Sequence, residues 1–154
     1  MKALKARAMN PIRTERQAIM TTKISAELQE FIKGKLGWVA TVDAAGMPNV
    51  TPKGTIRVLD ESTLIFADLF SLKTRENLKH NPKVAVTLAD HEHAIGYQFK
   101  GQAELIDAGP VFDSVREALK QSPKALPEPK YVAKITVEGI YDQSPGPDAG
   151  KKIG

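Results

Sequence analysis

Hydroxyl, lysine and amide side chains that together suit an anion gather in the segment SLKTREN. Ser71, Lys73 and Thr74 open a short helical pattern, and Asn77 follows Lys73 by one helical turn. The first backbone N–H groups of a helix have no intrahelical partners, so with these side chains they can bind a phosphate. The alternative is a helix that Ser71 caps while Lys73 lies in solvent. This segment alone does not decide between the two interpretations.

Lys53 is a second cation in an unusual place. It lies in the strand-like segment VTPKGT, directly between Pro52 and Gly54. Proline cannot donate a hydrogen bond to a neighbouring strand, so we expect this strand to be partly unpaired, at an edge or a bulge. Lys53 therefore either faces solvent or points to the same anion as Lys73.

Other reactive residues show no arrangement that predicts catalysis. His91 and His93 share one face of a strand, but no third metal ligand is evident nearby. We expect them to be exposed turn residues, and we predict no metal site. The chain contains no nucleophile elbow, no P-loop and no dinucleotide-binding glycine motif. No acid, base or nucleophile stands out, so the catalytic residues are unknown.

Six strand-like segments and three short helical patterns must position these residues. The strands are predicted at 36–43, 47–59, 63–69, 83–90, 94–107 and 131–142. The helices are predicted after the N-cap residue Ser25, at 72–79 and at 109–121. Tight turns join most of the strands, which favours a mainly β protein with short helices, a small antiparallel barrel, over alternating βαβ units. Trp38, in the first strand, is expected in its core.

Composition and charge narrow the class of protein. No cysteine occurs, which excludes disulfides and thiolate metal sites and is typical of a cytoplasmic protein. No apolar run approaches the length of a membrane span. Residues 1–19 carry five basic residues against Glu15, whereas the rest of the chain has 17 of each sign. The basicity therefore belongs to a tail, and we expect neither nucleic acid nor membrane as a partner.

These patterns divide the chain into three parts. Residues 1–20 form a basic N-terminal tail that we expect to be poorly ordered, and residues 144–154 form a turn-rich C-terminal tail. Residues 21–143 are predicted to form the folded domain. One domain of this length is large enough for a substantial core.

The order of the segments resembles the pyridoxamine 5′-phosphate oxidase-like family of FMN-binding split barrels. The resemblance covers about residues 25–141, and its most specific part is a strand, Ser-x-Lys-Thr-x-x-Asn, Asn-Pro, and another strand. It implies a six-stranded antiparallel Greek-key split β-barrel and a homodimer. It also implies FMN as the cofactor, bound in grooves at the subunit interface.

The resemblance also implies which residues contact FMN. Residues of the second strand match positions lining the flavin ring and phosphate, and residues 66–68 match positions near the ring and ribityl chain. The helix after them matches the phosphate-binding turn, and the fifth strand comes near the cofactor. The predicted cofactor-binding residues are Thr51, Pro52, Lys53, Phe66, Ala67, Asp68, Ser71, Lys73, Thr74, Asn77 and Gln98.

Two departures from the family argue against oxidation of vitamin B6. True pyridoxamine phosphate oxidases carry arginines where this chain has Thr51 and Leu72, and a C-terminal Arg and His that this chain lacks. We therefore predict an FMN-dependent oxidoreductase or flavin reductase with a small-molecule electron donor or acceptor. The alternatives are a non-catalytic FMN-binding or electron-transfer module, and a split barrel that binds a deazaflavin or haem.

Overall fold

The computed structural model describes residues 20–154, so nearly all of the predicted basic tail lies outside the described residues. The described part is a mainly antiparallel β protein with three short helices, which confirms the predicted fold class. The helices are α1 (Ala26–Ile32), α2 (Leu72–His80) and α3 (Pro110–Lys120). The strands are β1 (Gly37–Val42), β2 (Pro48–Lys53), β3 (Arg57–Asp60), β4 (Thr63–Asp68), β5 (Lys83–Asp90), β6 (Ile95–Ile106) and β7 (Tyr131–Asp142).

All seven strands form one antiparallel sheet in the order β2-β1-β5-β6-β7-β4-β3. The predicted number of six was wrong because segment 47–59 breaks into β2 and β3 at the turn that begins with Gly54. The two strands of this segment are the two edges of the sheet, so no backbone ladder closes it. Across the break, the Thr55 hydroxyl accepts a hydrogen bond from the backbone N–H of Ala67 at 3.0 Å.

The core lies on the inner face of this curved sheet. Alternate residues of the strands point inward, among them Val39, Val86 and Phe99, each fully buried. Trp38 therefore points outward and is 40% exposed, so the expectation that it belongs to the core was wrong. Its paired neighbour on β2 is Pro52, at the open edge of the sheet.

Local sequence signals place the ends of the helices. The Ser25 side chain accepts a hydrogen bond from the N–H of Leu28 at 3.3 Å, which confirms the predicted N-cap of α1. Helix α2 ends because Asn81, which precedes proline, is extended. Helix α3 packs Phe112 and Val115 against the outer face of β4, so both faces of that strand are buried.

The C-terminal residues return to the sheet. The N–H of Ile153 donates to the Ile140 carbonyl at 2.8 Å, and the N–H of Ile140 donates to the Gly154 carbonyl at 3.0 Å. This pairing extends the part of β7 that β4 does not cover. Among residues 20–154, no helix combines the length and apolar character needed to cross a membrane.

Candidate functional site

The N-terminus of α2 lies against the edge strand β2. Ser71 is the N-cap residue of α2, but its side chain makes no capping hydrogen bond, so the alternative interpretation of a helix capped by the Ser71 hydroxyl is wrong. Instead its hydroxyl accepts a hydrogen bond from Lys53 Nζ, and its backbone N–H donates to Asp68 Oδ1 at 3.0 Å. The fold brings Lys53 to Ser71, which lies 18 positions later in the chain. The Ser71 hydroxyl thus contacts Lys53 instead of a backbone N–H of its own helix.

Lys53 is a half-buried cation at this point. Its Nζ lies 5.6 Å from the centroid of the Phe66 ring, at a distance typical of a cation–π contact. Burial lowers the pKa of Lys53, although the nearby charge of Asp68 opposes this effect. Among the described residues, no carboxylate lies within 4.0 Å of its ammonium group. Lys53 therefore carries a charge that the surrounding residues leave available to an anion.

Asp68, at the end of β4, is already paired with another cation. Arg75 of α2 donates to it twice, from Nε at 2.5 Å and from a terminal nitrogen at 3.1 Å. Burial alone would raise the pKa of Asp68, but the hydrogen bonds from Arg75 and from the N–H of Ser71 outweigh it and lower the pKa. Arg75 was not among the predicted site residues, although an Asp at the end of the apolar segment TLIFAD is a signal that a cation lies nearby.

Buried polar side chains attach α2 to the first two strands. The Thr74 hydroxyl, which is fully buried, lies 3.0 Å from the Thr51 hydroxyl and 3.3 Å from Asn49 Nδ2. Asn77 Nδ2 donates to the Thr41 hydroxyl at 3.0 Å. Sequence reasoning missed Thr41 and Asn49, which are ordinary residues for a strand. Thr74 and Asn77 thus position the helix, and their contact with a cofactor stays a prediction.

Lys73 has a different environment from Lys53. It is half-exposed, and its Nζ lies 3.5 Å from Asp43 Oδ2 in the turn after β1. Hydrogen bonds from the backbone N–H of Met47 and Ala45, and then the contact with Lys73, lower the pKa of Asp43. The cation in the first turn of α2 therefore has a negative neighbour within the chain.

A groove of about 310 Å³ opens beside Lys53, between the edge of β2 and the end of β4. It is lined by Thr51, Pro52, Lys53, Gly54, Thr55, Ala67, Leu69 and Phe70. Four of the predicted cofactor-binding residues line it directly, and Phe66, Asp68 and Ser71 adjoin them. The structure therefore brings together residues from two predicted strands and the start of the helix.

Gln98 does not join this group within one chain. It lies on β6 and contacts Thr87 of β5, with Nε2 3.4 Å from the hydroxyl oxygen. The pairing continues from Thr87 to Trp38 and from Trp38 to Pro52, so Gln98 is three strands away from the groove. At the usual spacing between strands this is about 14 Å. Paired residues share a face, so the side chains in this row all lie on the outer face of the sheet: Gln98, Thr87, Trp38 and Pro52.

The turn that holds the two predicted surface histidines is an ion-pair site. His93 Nδ1 lies 3.1 Å from Asp90 Oδ1, and Lys35 Nζ lies 3.2 Å from the other carboxylate oxygen. The contacts from His93 and Lys35 lower the pKa of Asp90 to about 2. Within residues 20–154, no group of three or more His, Asp or Glu side chains is arranged to hold a metal ion.

Comparison with known proteins identifies the family. The family model described as pyridoxamine 5′-phosphate oxidase matches residues 24–144, so the chain belongs to that family. An uncharacterised protein of Methanocaldococcus jannaschii, MJ0282, is 38% identical over 136 residues, which are 85% of this chain and 88% of that protein.

Solved structures of other proteins share the fold. HupZ of Group A Streptococcus is 34% identical, with a TM-score of 0.74, and the match covers 82% of this chain and 99% of that one. An FMN-binding protein of Syntrophomonas wolfei is 19% identical, with a TM-score of 0.66, and the match covers 79% and 84% of the two chains. At that identity the second structure shows a similarity of fold alone.

Proposed function

We propose that this protein binds FMN at the groove beside α2 and acts as an FMN-dependent oxidoreductase. The observation that carries the proposal is Lys53, a half-buried cation without a carboxylate partner among the described residues, in contact with Ser71 at the start of a helix. A buried charge is costly unless it is paired, so a site of this kind suits a negative group. Membership of the pyridoxamine 5′-phosphate oxidase family supports a flavin as that ligand.

The residues of the groove fit the chemical groups of FMN. Lys53, Ser71 and the free N–H groups of the first turn of α2 would hold the phosphate, because charged donors and a helix N-terminus both stabilise an anion. Arg75 already neutralises Asp68, so that carboxylate does not oppose the phosphate. The apolar side chains of Pro52, Ala67 and Leu69 would face the flavin ring. FMN, when bound, supplies the electron-accepting chemistry, and this chain binds and orients it.

The absorption spectrum of the purified protein tests the cofactor. Bands of oxidised flavin are the expected result. A deazaflavin or haem spectrum would instead support one of the alternative ligands within the same fold, and a colourless protein that takes up no added FMN would refute the proposal.

Titration of two flavins tests the role of Lys53. Because a hydrogen bond to a charged group contributes about 1.5–3 kcal/mol, Lys53→Met should weaken FMN binding about tenfold to hundredfold. Lys73→Met should have the smaller effect, since Lys73 is half-exposed and already lies near Asp43. Riboflavin, which lacks the phosphate, should respond little to either change. Lys130→Met, at an exposed site outside the groove, is the matched control. Equal FMN affinity in Lys53→Met and wild type would contradict the assignment.

Reduction by pyridine nucleotides separates an enzyme from a carrier. NADH or NADPH added to the FMN-loaded protein should bleach the visible flavin absorption if the protein is a reductase. If neither does, FMN binding stands, and the protein is better described as an FMN-binding or electron-transfer module. The cytoplasmic location stays a prediction.

A homodimer is the second part of the proposal. The outer face of β1 and β2 exposes Trp38 (40%), Val42 (36%) and Val50 (60%), and β2 is an unpaired edge. A second subunit on this face would cover both features and bury apolar surface beside an open groove. Gln98 lies on the same outer face, so it would reach a flavin only across such an interface.

Light scattering tests the dimer. Wild type should elute as a dimer at micromolar concentration, and Val50→Glu should shift it towards monomer because a charge enters an apolar interface. Ile153→Glu places the same charge at another exposed apolar residue, 52% exposed at the C-terminus, and should leave the dimer intact. A monomeric wild type that still binds FMN would exclude the dimer.

A further inference from the structure

A carboxylate from another element holds the cation in the first turn of α2 loosely. Lys73 Nζ lies 3.5 Å from Asp43 Oδ2, which is within the range of an ion pair but longer than a good hydrogen bond. The side chain of Lys73 is 51% exposed, whereas that of Asp43 is 22% exposed. Because a lysine side chain is long and flexible, rotation about its own bonds is enough to move Lys73 out of this contact.

Asp43, in contrast, is fixed by the turn between β1 and β2. Its Oδ1 accepts hydrogen bonds from the backbone N–H groups of Ala45 and Met47, both at 2.9 Å. The hydrogen bond from Met47, and then that from Ala45, lower the pKa of Asp43, so this carboxylate is charged at neutral pH. The turn thus uses one carboxylate oxygen, and the other faces Lys73.

The remaining charges near the start of α2 are not free to exchange in this way. Asp68 accepts two hydrogen bonds from Arg75, and both side chains are largely buried, so this pair stays together when an anion binds. Lys53 has no carboxylate within 4.0 Å among the described residues. Lys73 is therefore a cation that both a carboxylate of the chain and a bound phosphate can contact.

We propose that Asp43 is a specificity-determining residue that competes with the FMN phosphate for Lys73. In the free protein Lys73 pairs with Asp43, and in the complex it turns to the phosphate and leaves Asp43 without its cation. This exchange lowers the affinity for FMN and not for riboflavin, so Asp43 sets how strongly the site selects the phosphorylated flavin. The inference rests on the proposed function, because it concerns the phosphate end of the same site.

Titration of FMN into Asp43→Asn tests the competition. The Asn side-chain oxygen can still accept the hydrogen bonds of the turn, while the negative charge is removed. Because the ion pair is half-exposed and therefore weak, the variant should bind FMN about two- to fivefold more tightly than wild type. Riboflavin affinity should stay the same, and the gain for FMN should shrink as salt is added. Equal or weaker FMN binding in Asp43→Asn would overturn the proposal.

Asp60 offers the matched control, in the turn between β3 and β4. Its Oδ1 also accepts a hydrogen bond from a backbone N–H two residues later, that of Ser62 at 2.9 Å. It pairs with Thr63, at the opposite end of β4 from Asp68, and no Lys or Arg nitrogen lies within 4.0 Å of its carboxylate among residues 20–154. Asp60→Asn should therefore bind FMN like wild type. The same gain in Asp60→Asn and Asp43→Asn would show a general effect of net charge and refute the role of Asp43.

Combination with Lys73→Met shows whether Asp43 acts through Lys73. If the two residues are coupled as proposed, most of the gain from Asp43→Asn should disappear in the Lys73→Met background. For the same reason, Lys73→Met should cost more FMN affinity in Asp43→Asn than in wild type. An equal gain with and without Lys73 would show that Asp43 only repels the phosphate directly, and the competition would be refuted.

These titrations separate a failure of this inference from a failure of the proposed function. FMN binding by wild type without tighter binding in Asp43→Asn would refute the competition and leave the FMN site in place. No FMN binding by either protein would refute the FMN site and the competition together.

Discussion

Helices α2 and α3 both pack apolar side chains against the sheet, but only α2 adds buried polar contacts. Helix α2 buries Leu78 in the main core together with Thr74 and Asn77, whose side chains hydrogen-bond to β1 and β2, whereas α3 buries Phe112 and Val115 in an apolar cluster. Apolar contacts are sufficient to cover a sheet, and a buried polar network costs stability wherever it is incomplete. The polar attachment therefore indicates that the exact position of α2 is important. The candidate anion site lies at the N-terminus of this helix, so that position would set the geometry of the site.

Each helix also contributes an arginine to an Asp–Arg pair, Arg75 of α2 with Asp68 of β4 and Arg116 of α3 with Asp113 of the same helix, and the loss of these two pairs should differ most in its effect on stability. Asp68 and Arg75 have side chains 2% and 15% exposed, whereas Asp113 and Arg116 on α3 are 55% and 37% exposed. Asp68→Ala should lower the free energy of unfolding by about 3–5 kcal/mol, because it leaves a buried charge unpaired. Asp113→Ala should cost only about 0–1 kcal/mol. Urea unfolding of both variants measures the difference, and similar losses would remove the distinction between the helices.

A hydroxyl replaced by a methyl group on α2, and the reverse change on α3, test whether polar contacts matter more for α2 than for α3. Thr74→Val should cost about 1–3 kcal/mol, because it leaves hydrogen-bonding groups of Asn49 and Thr51 without this partner. Val115→Thr should cost about the same for the opposite reason, since it places a hydroxyl in an apolar cluster.

The flavin titration distinguishes these two losses. Thr74→Val should also weaken FMN binding, because α2 would shift relative to Lys53. Val115→Thr should leave FMN affinity near that of wild type. If Thr74→Val and Val115→Thr change the affinity for FMN equally, the polar attachment of α2 has no special role at the site.

Acid should destabilise the two helices unequally, and this is the smallest of the expected effects. The folded state lowers the pKa of Asp68, so the stability from this group is fully present above the unfolded pKa of about 3.9. It is lost as pH falls through the lower, folded pKa. Asp68→Asn should therefore flatten the fall in unfolding free energy below about pH 4. Glu117→Gln on α3, where a hydrogen bond from exposed Lys120 lowers the pKa of an exposed carboxyl, should flatten it less. The same slope in both variants would contradict the buried pairing.

Local patterns predicted the elements that depend on neighbours along the chain. Ser25 begins α1 and Asn81-Pro82 ends α2, as expected, because capping and the restriction before proline act within a few residues. The strand break at Gly54 was missed, since proline and glycine weaken a strand without showing where the chain will turn. Trp38 was placed on the wrong face because both faces of β1 carry apolar residues.

The candidate site, like the fold, was predicted in part from the sequence and in part decided only by the tertiary structure. Residue types and order, with the family resemblance, pointed to Lys53, Ser71 and Lys73 as cations and donors near one helix start. Only the tertiary structure decided that Lys53 contacts Ser71, that Lys73 lies near Asp43 and that Arg75 pairs with Asp68. These contacts depend on the register of β2 against β1 and on how α2 covers the end of the sheet. Hydrophobic alternation and local propensity set which elements form, whereas long-range packing sets which polar groups meet, because partners far apart in sequence leave no periodic signal.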